Sequence, residues 1–332
     1  MYKKLQHIQI KVIDLGEKNK CIGKLDNGIV VIIEGIVAIG DIVEAKIIKI
    51  KKNYLTAKLV KIIKSSNTRV KPKCKYFGIC GGCKWQHIHY DEQKRLKLKQ
   101  VQDALLHIGG FDIICDFKEV DTKIFQYRNK IDLSFTDLRY LSNTEIETKT
   151  SESKKRTDFA LGFHPANCYS KSLDIDDCLL ATEEMNIVLN IVRLFCLKYR
   201  NELPIYSTRS HTGELRNLVI RQGGNSNELM INLITSNHNK KLMKKLYYLL
   251  YDTLEEKITT FINSTTSAKN SVAVGTTEYI IYGNGFITDA IHNYKFHISA
   301  NSFFQTNTLQ AEELYKIIIN IGKFNKSEIV YD

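Results

Sequence analysis

The segment Cys74-Lys-Tyr-Phe-Gly-Ile-Cys80-Gly-Gly-Cys83-Lys-Trp-Gln86-His87 places three cysteines within ten residues. It is poor material for a hydrophobic core. Gly81 and Gly82 let the backbone turn tightly enough to direct Cys80 and Cys83 toward one point. We call Cys74–His87 the cassette, and we predict that it forms a metal or iron–sulfur site and not a disulfide knot.

Three thiolates need a fourth ligand. Cys178, which follows Leu-Asp-Ile-Asp-Asp, is the best candidate, and Cys168 is its competitor. The remaining cysteines stand in apolar patterns and are interpreted as core thiols: Cys21, Cys115 and Cys196. The spacing C-x5-C-x2-C leaves zinc and an iron–sulfur cluster about equally supported, because both metals take four thiolates. It differs from the C-x3-C-x2-C spacing of radical enzymes.

Charge is distributed unevenly along the 332 residues, whose net charge is +12. Residues 1–99 hold 22 Lys and Arg against 8 Asp and Glu, whereas the remainder holds 26 against 28. This asymmetry predicts that the N-terminal part binds a polyanion, with nucleic acid as the expected partner. No apolar run approaches the roughly 20 residues of a membrane span. Eight cysteines without a secretory signal indicate a reducing compartment, so we expect a cytoplasmic protein that does not bind membranes.

The pattern of the chain predicts a multidomain α+β protein. Short strands with turn signals, including Asp26-Asn27-Gly28, indicate a small closed barrel of the OB type over residues 5–64. A helix is expected over 90–107 and a polar loop over Leu141–Arg156. Strands alternate with further helices, expected near 183–200, 239–257 and 307–321.

Several motifs together resemble the bacterial RNA (uracil-C5-)-methyltransferases, of the kind that modify 23S ribosomal RNA. They are the cassette with Tyr-x-x-Gln93 after it, the Asp174-Ile-Asp-Asp-Cys178 element, and these segments: Tyr127-Arg128-Asn129-Lys130, Leu161-Gly162-Phe163-His164, Leu215-Arg216-Asn217-Leu218-Val219 and Ser299-Ala-Asn-Ser-Phe-Phe-Gln305-Thr-Asn307. The resemblance runs through the whole chain. The cassette and the Phe-Phe-Gln-x-Asn segment are its specific parts.

The resemblance implies three domains. Residues 1–64 would be a TRAM barrel, 65–298 a central α+β iron–sulfur domain, and 299–332 the start of a Rossmann-like domain that binds S-adenosyl-L-methionine. It also implies a structural [4Fe–4S] cluster on Cys74, Cys80, Cys83 and Cys178, and it places Gln305 against S-adenosyl-L-methionine. An amide can donate and accept, which suits a polar cofactor edge. The plainer interpretation of the segment is a helix N-terminus capped by Asn307 or Thr308.

Basic residues beside aromatic ones suit single-stranded RNA with splayed bases. On this ground the candidate RNA contacts are Arg128, Lys130, Arg216 and Arg221, although isolated basic residues more often belong to a solvated face.

The implied reaction needs a glycine-rich cofactor loop, a cysteine that adds to uracil C6 and a base that removes the C5 proton. The resemblance places all three beyond Asp332, with Ile329–Asp332 as the strand before the loop. We therefore predict no catalytic residue here and an inactive, monomeric chain. It would be a truncated gene, an engineered fragment or one piece of a split gene with a separate C-terminal segment. The apolar faces of 307–331 would then lack a covering sheet.

Three other interpretations stay open at this point. The first is a non-catalytic RNA-binding protein with a four-cysteine zinc or iron–sulfur domain. The second is an adapter that delivers a separate enzyme through its barrel. The third is a tRNA uracil-C5 methyltransferase.

Overall fold

The computed structural model describes residues 2–16, 20–118, 120, 123–142, 145–146, 158–166, 168–269, 273–325, 329 and 331. The chain forms two compact units, Met1–Glu119 and Val120–Asp332. The cassette belongs to the first unit, together with the barrel. Most of the loop predicted over Leu141–Arg156 lies outside the described residues, as do Val330 and Asp332 of the predicted last strand.

Five strands of the first unit close into a barrel in the order β1-β2-β3-β5-β4. They are β1 His7–Leu15, β2 Cys21–Lys24, β3 Val30–Glu34, β4 Ile42–Ile50 and β5 Tyr54–Lys64. Alternate side chains of β1 are buried in the interior, as the period of two in a strand requires. The predicted turn at Asp26-Asn27-Gly28 joins β2 to β3, and Gly28 has a φ of +86° that favours glycine. The predicted barrel is confirmed.

Helix α1, Tyr90–His107, has the predicted bounds. Its one buried side chain is Leu96, which packs into the barrel's core cluster. The Gln93 amide donates to the carbonyl oxygens of Trp85 and Ile88 at 3.0 and 2.9 Å, so it fixes the chain just before the helix. This contact gives the Tyr-x-x-Gln motif a structural role.

The second unit is built on a six-stranded sheet in the order β11-β10-β9-β8-β6-β7. Its strands are β6 Lys130–Thr136, β7 Ala160–Gly162, β8 Leu215–Gln222, β9 Leu229–Thr235, β10 Ile258–Thr265 and β11 Thr277–Tyr282. Strands β8 and β9 are buried along their whole length. Strands β9 and β10 are parallel, which requires a crossover between them.

Helix α3, Lys240–Leu254, makes that crossover, and a 3₁₀ turn over Glu255–Lys257 follows it. Helix α2, Glu183–Lys198, precedes β8 in the chain. Both helices begin at side-chain caps: Thr182 accepts from the Met185 amide and Asn239 from the Leu242 amide.

A hairpin of β12 Phe286–Ile291 and β13 Tyr294–Ser299 packs on this sheet through a small apolar cluster. The buried members of the cluster are Met230, Ile262, Ile287, Ile298 and Ala300. The hairpin leads directly into the Phe-Phe-Gln-Thr-Asn segment, so the cluster sets where that segment begins.

Helix α4, Thr308–Gly322, begins at Asn307, whose side chain accepts from the Gln310 amide. Apolar side chains beyond its first turn are exposed, as expected for 307–331: Leu314, Ile318, Ile319 and Ile321. Among the described helices, none combines the length and the apolar character that crossing a membrane requires.

Candidate functional site

The cassette is a loop closed at its base by a short antiparallel bridge between Arg69 and Ile88. The Val70 amide donates to the His87 carbonyl at 3.0 Å, and the His89 amide donates to the Thr68 carbonyl at 2.8 Å. The residues on either side of the three cysteines are therefore held together by backbone hydrogen bonds.

Within the loop the backbone turns back on itself. The Phe77 amide donates to the Cys74 carbonyl at 3.1 Å, and the Cys80 amide donates to the Tyr76 carbonyl at 2.9 Å. Gly78 has a φ of +90°, and a Cβ there would lie 2.6 Å from Ile36 Cδ1. The Gly82 amide points at Cys80 Sγ at 3.4 Å. The positive φ favours glycine at 78, and a Cβ there would also require the tip of the Ile36 side chain to shift.

A buried carboxylate anchors the base of this loop to the barrel. Asp41 is fully buried and accepts from the Ala38 and Ser66 amides at 2.7 and 2.9 Å. Arg69 donates to the same carboxylate through Nε and Nη2, and its Nη2 also reaches the Ile36 carbonyl at 2.7 Å. Burial alone would raise the pKa of Asp41, but the hydrogen bonds from Arg69 and the two amides bring that pKa below its usual value.

The predicted metal ligands are half-buried thiols. This holds for Cys74, Cys80 and Cys83, and also for Cys178 and Cys168 in the second unit. Over the residues that the structure describes, no three Cys, His, Asp or Glu side chains are grouped so as to hold a metal ion. The cassette nonetheless supplies three half-buried thiols on one loop, a donor set of the kind that zinc and iron–sulfur clusters take. The cluster and its ligands remain predictions from spacing and resemblance.

The two cysteines considered for the fourth position differ in setting. Cys178 begins a turn before α2, where its amide donates to Asn186 Oδ1 at 2.9 Å and its carbonyl accepts from Asn186 Nδ2 at 3.2 Å. Cys168 lies just before a bend, and its Sγ is 3.9 Å from Ser170 Oγ. The turn before α2 thus has a fixed backbone at Cys178.

The predicted core thiols are confirmed at two of three positions. Cys21 and Cys196 are buried, and burial raises the pKa of Cys21 to about 12 and that of Cys196 further. Cys115 is only half-buried in a segment without regular structure, so its interpretation as a core thiol was wrong. The apolar residues around it stay exposed: Phe111, Ile113, Ile114 and Phe117.

In the second unit, buried side chains hold the Phe-Phe-Gln-Thr-Asn segment in place. The Asn129 amide group donates to the Gln305 carbonyl at 2.6 Å and to Thr308 Oγ1 at 2.9 Å, and the Asn129 backbone amide donates to the Thr306 carbonyl at 3.0 Å. The Arg221 guanidinium donates to the carbonyls of Ala300 and Ser302. Gln305 itself is exposed. The backbone is fixed while the Gln305 side chain faces solvent.

A second buried carboxylate closes this arrangement. Asp289 is 1% exposed and accepts from three consecutive amides, Gly224, Asn225 and Ser226, at 2.8, 3.0 and 3.2 Å. It also accepts from the Thr308 hydroxyl at 3.1 Å. The β8–β9 turn, the β12 strand and the start of α4 are thereby joined at one side chain.

Three of the quoted motifs meet in this part of the unit. Arg128 donates its backbone amide to the Leu180 carbonyl at 3.0 Å, two residues after Cys178, and its neighbour Asn129 bonds the Gln305 segment. The Tyr127–Lys130 motif therefore lies between the Asp174–Cys178 element and the Gln305 loop. We call Arg128, Asn129, Cys178 and Gln305, with their connecting backbone, the junction.

The four predicted RNA contacts fall into two groups. Arg128 is half-buried, and Lys130 pairs with Asp132 at 3.0 Å. Arg216 and Arg221 are buried in β8. Arg216 donates to Ser236 Oγ and the Ala268 carbonyl, and its guanidinium lies 3.6 Å from the ring centroid of Tyr206. Burial lowers the pKa of the Arg221 guanidinium. Both β8 arginines have intramolecular partners.

The sequence did not predict the buried side chains that hold the Gln305 loop, Asn129 and Asp289. Asn129 stood in a quoted motif, but its amide could not be connected to a carbonyl 176 residues later. Asp289 gave no signal at all, since a single aspartate in a strand is ordinarily a surface residue.

Comparisons with known proteins agree with this architecture. A TRAM domain profile matches residues 4–60, which are the barrel. An uncharacterized RNA methyltransferase of Chlorobaculum tepidum is 43% identical over 333 residues, covering 100% of this chain and 68% of that protein. One of Bacteroides thetaiotaomicron is 32% identical over 326 residues, covering 96% of this chain and 69% of that protein.

A solved structure has the same fold. The tRNA (uracil-54, C5)-methyltransferase of Pyrococcus abyssi, in complex with S-adenosyl-L-homocysteine, matches with a TM-score of 0.63 and 24% identity. The match covers 94% of this chain and 64% of that one. Barrel and profile define a TRAM-domain protein that binds RNA. The relatives add the family: the chain belongs to the RNA methyltransferases.

Proposed function

We propose that the protein serves S-adenosyl-L-methionine-dependent methylation of uracil C5 in RNA, with 23S ribosomal RNA as the substrate. The observation that carries the proposal is the Gln305 loop, whose backbone is fixed by Asn129 and Arg221 while the Gln305 amide stays exposed. A fixed loop with an exposed amide can recognise a polar cofactor edge without first becoming ordered.

In this proposal the chain's own residues bind and orient. S-adenosyl-L-methionine would supply the methyl group, and Gln305 would contact it. Arg128 and Lys130 would hold RNA phosphates, since both are basic and flank Asn129, whose amide bonds the Gln305 loop. Arg221 acts indirectly, because its guanidinium group holds the Ala300 and Ser302 carbonyls that lead into the loop. Arg216 instead holds the Ala268 carbonyl in the segment after β10, so its part in the proposal is to stabilise the fold.

We propose none of the chain's cysteines as the nucleophile that adds to uracil C6. The buried thiols Cys21 and Cys196 are held in the protonated form by their raised pKa, and a thiol attacks as the thiolate. In this proposal neither the nucleophile nor the base is assigned to a residue of the chain, and we expect no methylation of RNA by these 332 residues alone.

The [4Fe–4S] cluster belongs to this proposal as a structural group on the cassette. Its support is the C-x5-C-x2-C spacing, the Gly82 amide directed at Cys80 Sγ, and the resemblance of the cassette to the family motif. Metal analysis tests the cluster separately from the reaction.

The direct test incubates the chain with S-adenosyl-L-methionine carrying a labelled methyl group, first alone and then with a C-terminal segment taken from the Chlorobaculum relative. Two RNAs are offered, 23S ribosomal RNA and tRNA, each from a strain that lacks 5-methyluridine. We expect label at uracil C5 of ribosomal RNA only in the supplemented reaction. Label found on tRNA and not on ribosomal RNA would show that tRNA is the substrate. Label at an atom other than uracil C5 would refute the proposed chemistry. Methylation by the chain alone would show that a residue within it is the nucleophile.

A further inference from the structure

An edge of the sheet in the second unit carries a row of aromatic rings that the junction does not use. Strand β11 lies at this edge and pairs with β10. Phe261 pairs with Tyr282 and Ile262 with Ile280, so the register skips Ile281. Such a bulge places Tyr279 and Tyr282 on the same face of the sheet, although they are three residues apart.

Each of these tyrosines is stacked. The Tyr279 ring lies on His238 with centroids 4.1 Å apart and planes at 4°, and the Tyr282 ring lies on Tyr247 of α3 with centroids 4.7 Å apart. His238 Nδ1 is 2.7 Å from Asn263 Oδ1, which fixes the histidine ring. The aromatic row is therefore ordered before any ligand binds.

The rings are ordered but not buried. Tyr279 and Tyr282 are 39% and 38% exposed, and Tyr248 of α3 is 61% exposed. Tyr248 and Tyr251 both contact the ring of Tyr247, which extends the row along the helix. Ordered aromatic side chains with accessible surface lose little conformational entropy when a flat ring stacks on them.

Four lysines lie near the N-terminus of α3, where positive charge is unfavourable. Lys240, Lys241, Lys244 and Lys245 occupy the first two turns of α3, all exposed, with no acidic residue in the first turn. The N-terminus of a helix carries partial positive charge, and like charges four residues apart repel. Within the described part of the chain, no ion pair involves any of the four. An anion bound there would relieve this repulsion.

We propose that the tyrosine–lysine face binds single-stranded RNA outside the junction. This face consists of Tyr279 and Tyr282 of β11 and Lys240, Lys241, Lys244, Tyr248 and Tyr251 of α3. Lys244 and Tyr248 are four residues apart, so phosphate and base contacts alternate along one side of the helix. Stacking on tyrosine is open to every base, so the face adds affinity with little sequence preference. The inference rests on RNA being the substrate and not on which atom is methylated.

The experiment measures binding of a fluorescein-labelled 12-nucleotide oligouridine to the full chain by anisotropy over a series of salt concentrations. One variant combines Tyr248→Ala with Tyr282→Leu, where leucine keeps an apolar contact with Tyr247. A second combines Lys241→Gln with Lys244→Gln. The matched control is Tyr294→Ala with Lys295→Gln, since Tyr294 is 71% exposed and both residues stand on β13, which is not an element of the face.

We expect the tyrosine variant to bind about tenfold more weakly, within the range for lost base stacking. The lysine variant should weaken binding and lower the slope of log K against log salt by about 1.4, or about 0.7 for each lost phosphate contact. The control should bind like the wild type. Photocrosslinking with 4-thiouridine in the oligonucleotide should label peptides that contain residues 238–251 and 277–282.

Equal affinity in the wild type and both variants, or crosslinks confined to other peptides, would overturn the proposal. Sedimentation is measured in parallel. If the variants change the mass of the assembly and not the RNA affinity, the face binds another protein chain and the RNA assignment is wrong. A failed uracil methylation assay beside a positive binding result would refute only the proposed function.

Discussion

Replacing Asp41 by asparagine tests whether the buried carboxylate holds the cassette base on the barrel. The carboxylate accepts two backbone amides, from Ala38 and Ser66, and a two-pronged contact from Arg69. An asparagine offers one accepting oxygen where the aspartate offered two. In either orientation of the amide, at least one backbone N–H loses its acceptor, and Arg69 loses its counter-charge.

The size of the effect follows from these losses. A buried donor left without a partner costs about 1–3 kcal/mol, and a charged hydrogen bond is worth about 1.5–3 kcal/mol. Since Arg69 keeps its bond to the Ile36 carbonyl and some access to water, we expect a total near 3–4 kcal/mol, at the lower end for a broken buried pair. With a urea m value of about 2 kcal/mol/M, the midpoint would fall by roughly 2 M.

Trp85 makes the measurement specific to the first unit. It is the chain's single tryptophan, and it packs against the barrel core. Its fluorescence in a urea titration therefore follows unfolding of the first unit. The matched control is Glu44→Gln, an acid-to-amide change on the same barrel, where the carboxylate pairs with Lys61 at the surface and little change is expected.

The pH dependence gives an independent check. The pKa of Asp41 is lower in the folded chain than in the unfolded chain, so its ionised form stabilises the fold above the unfolded pKa of about 3.9. This stabilisation is lost as the pH falls through the folded pKa. The difference between wild type and Asp41→Asn should therefore be full at pH 7 and shrink below about pH 4. A midpoint shift under roughly 0.3 M at pH 7, or a difference that grows in acid, would refute the reasoning.

Three further predictions concern the cassette and the junction. Protein purified without oxygen should contain about four irons and four sulfides per chain. The Cys178→Ala variant should lose them, while the Cys168→Ala variant should keep them. Zinc without labile sulfide would refute the cluster. Gly78→Ala should lower the free energy of unfolding, followed by Trp85 fluorescence, by roughly 1–2 kcal/mol, because alanine is strained at a positive φ and its Cβ would displace the Ile36 side chain. An unchanged free energy of unfolding would contradict this. Asn129→Ala should weaken S-adenosyl-L-methionine binding measured by calorimetry in the chain supplemented with the C-terminal segment, while oligouridine affinity is kept; parallel loss of both would indicate general unfolding.

Local patterns predicted the local elements well. Helix 90–107 has its predicted bounds, because the apolar periodicity that predicts it and the Gly109-Gly110 pair that ends it are both local features of the sequence. The Asp-Asn-Gly turn and the barrel strands likewise depend on neighbours in sequence. The bulge at Ile281 and the parallel pairing of β9 with β10 depend on partners about 20 to 30 residues away, and no local period encodes them.

The site was harder to predict for the same reason. Cys74, Cys80, Cys83 and Gln305 could be selected because each stands in a compact motif. Arg216 and Arg221 looked like surface charges, since a sequence does not reveal that β8 is covered on both faces. Their guanidinium groups are buried against carbonyls of segments up to 81 residues away.

Both units use the same device to fix a functional loop. Asp41 gathers two backbone amides and Arg69 beneath the cassette, and Asp289 gathers three backbone amides and Thr308 beneath the Gln305 loop. Loops that must present thiols or an amide to a ligand cannot bury enough apolar surface to order themselves. A buried carboxylate costs free energy to desolvate, and that cost is met only when several donors converge on it. A displaced loop would leave the buried charge unpaired. The carboxylate therefore makes one loop geometry lower in free energy than the others. That difference in free energy is what a site needs if its geometry is to be set before the ligand arrives.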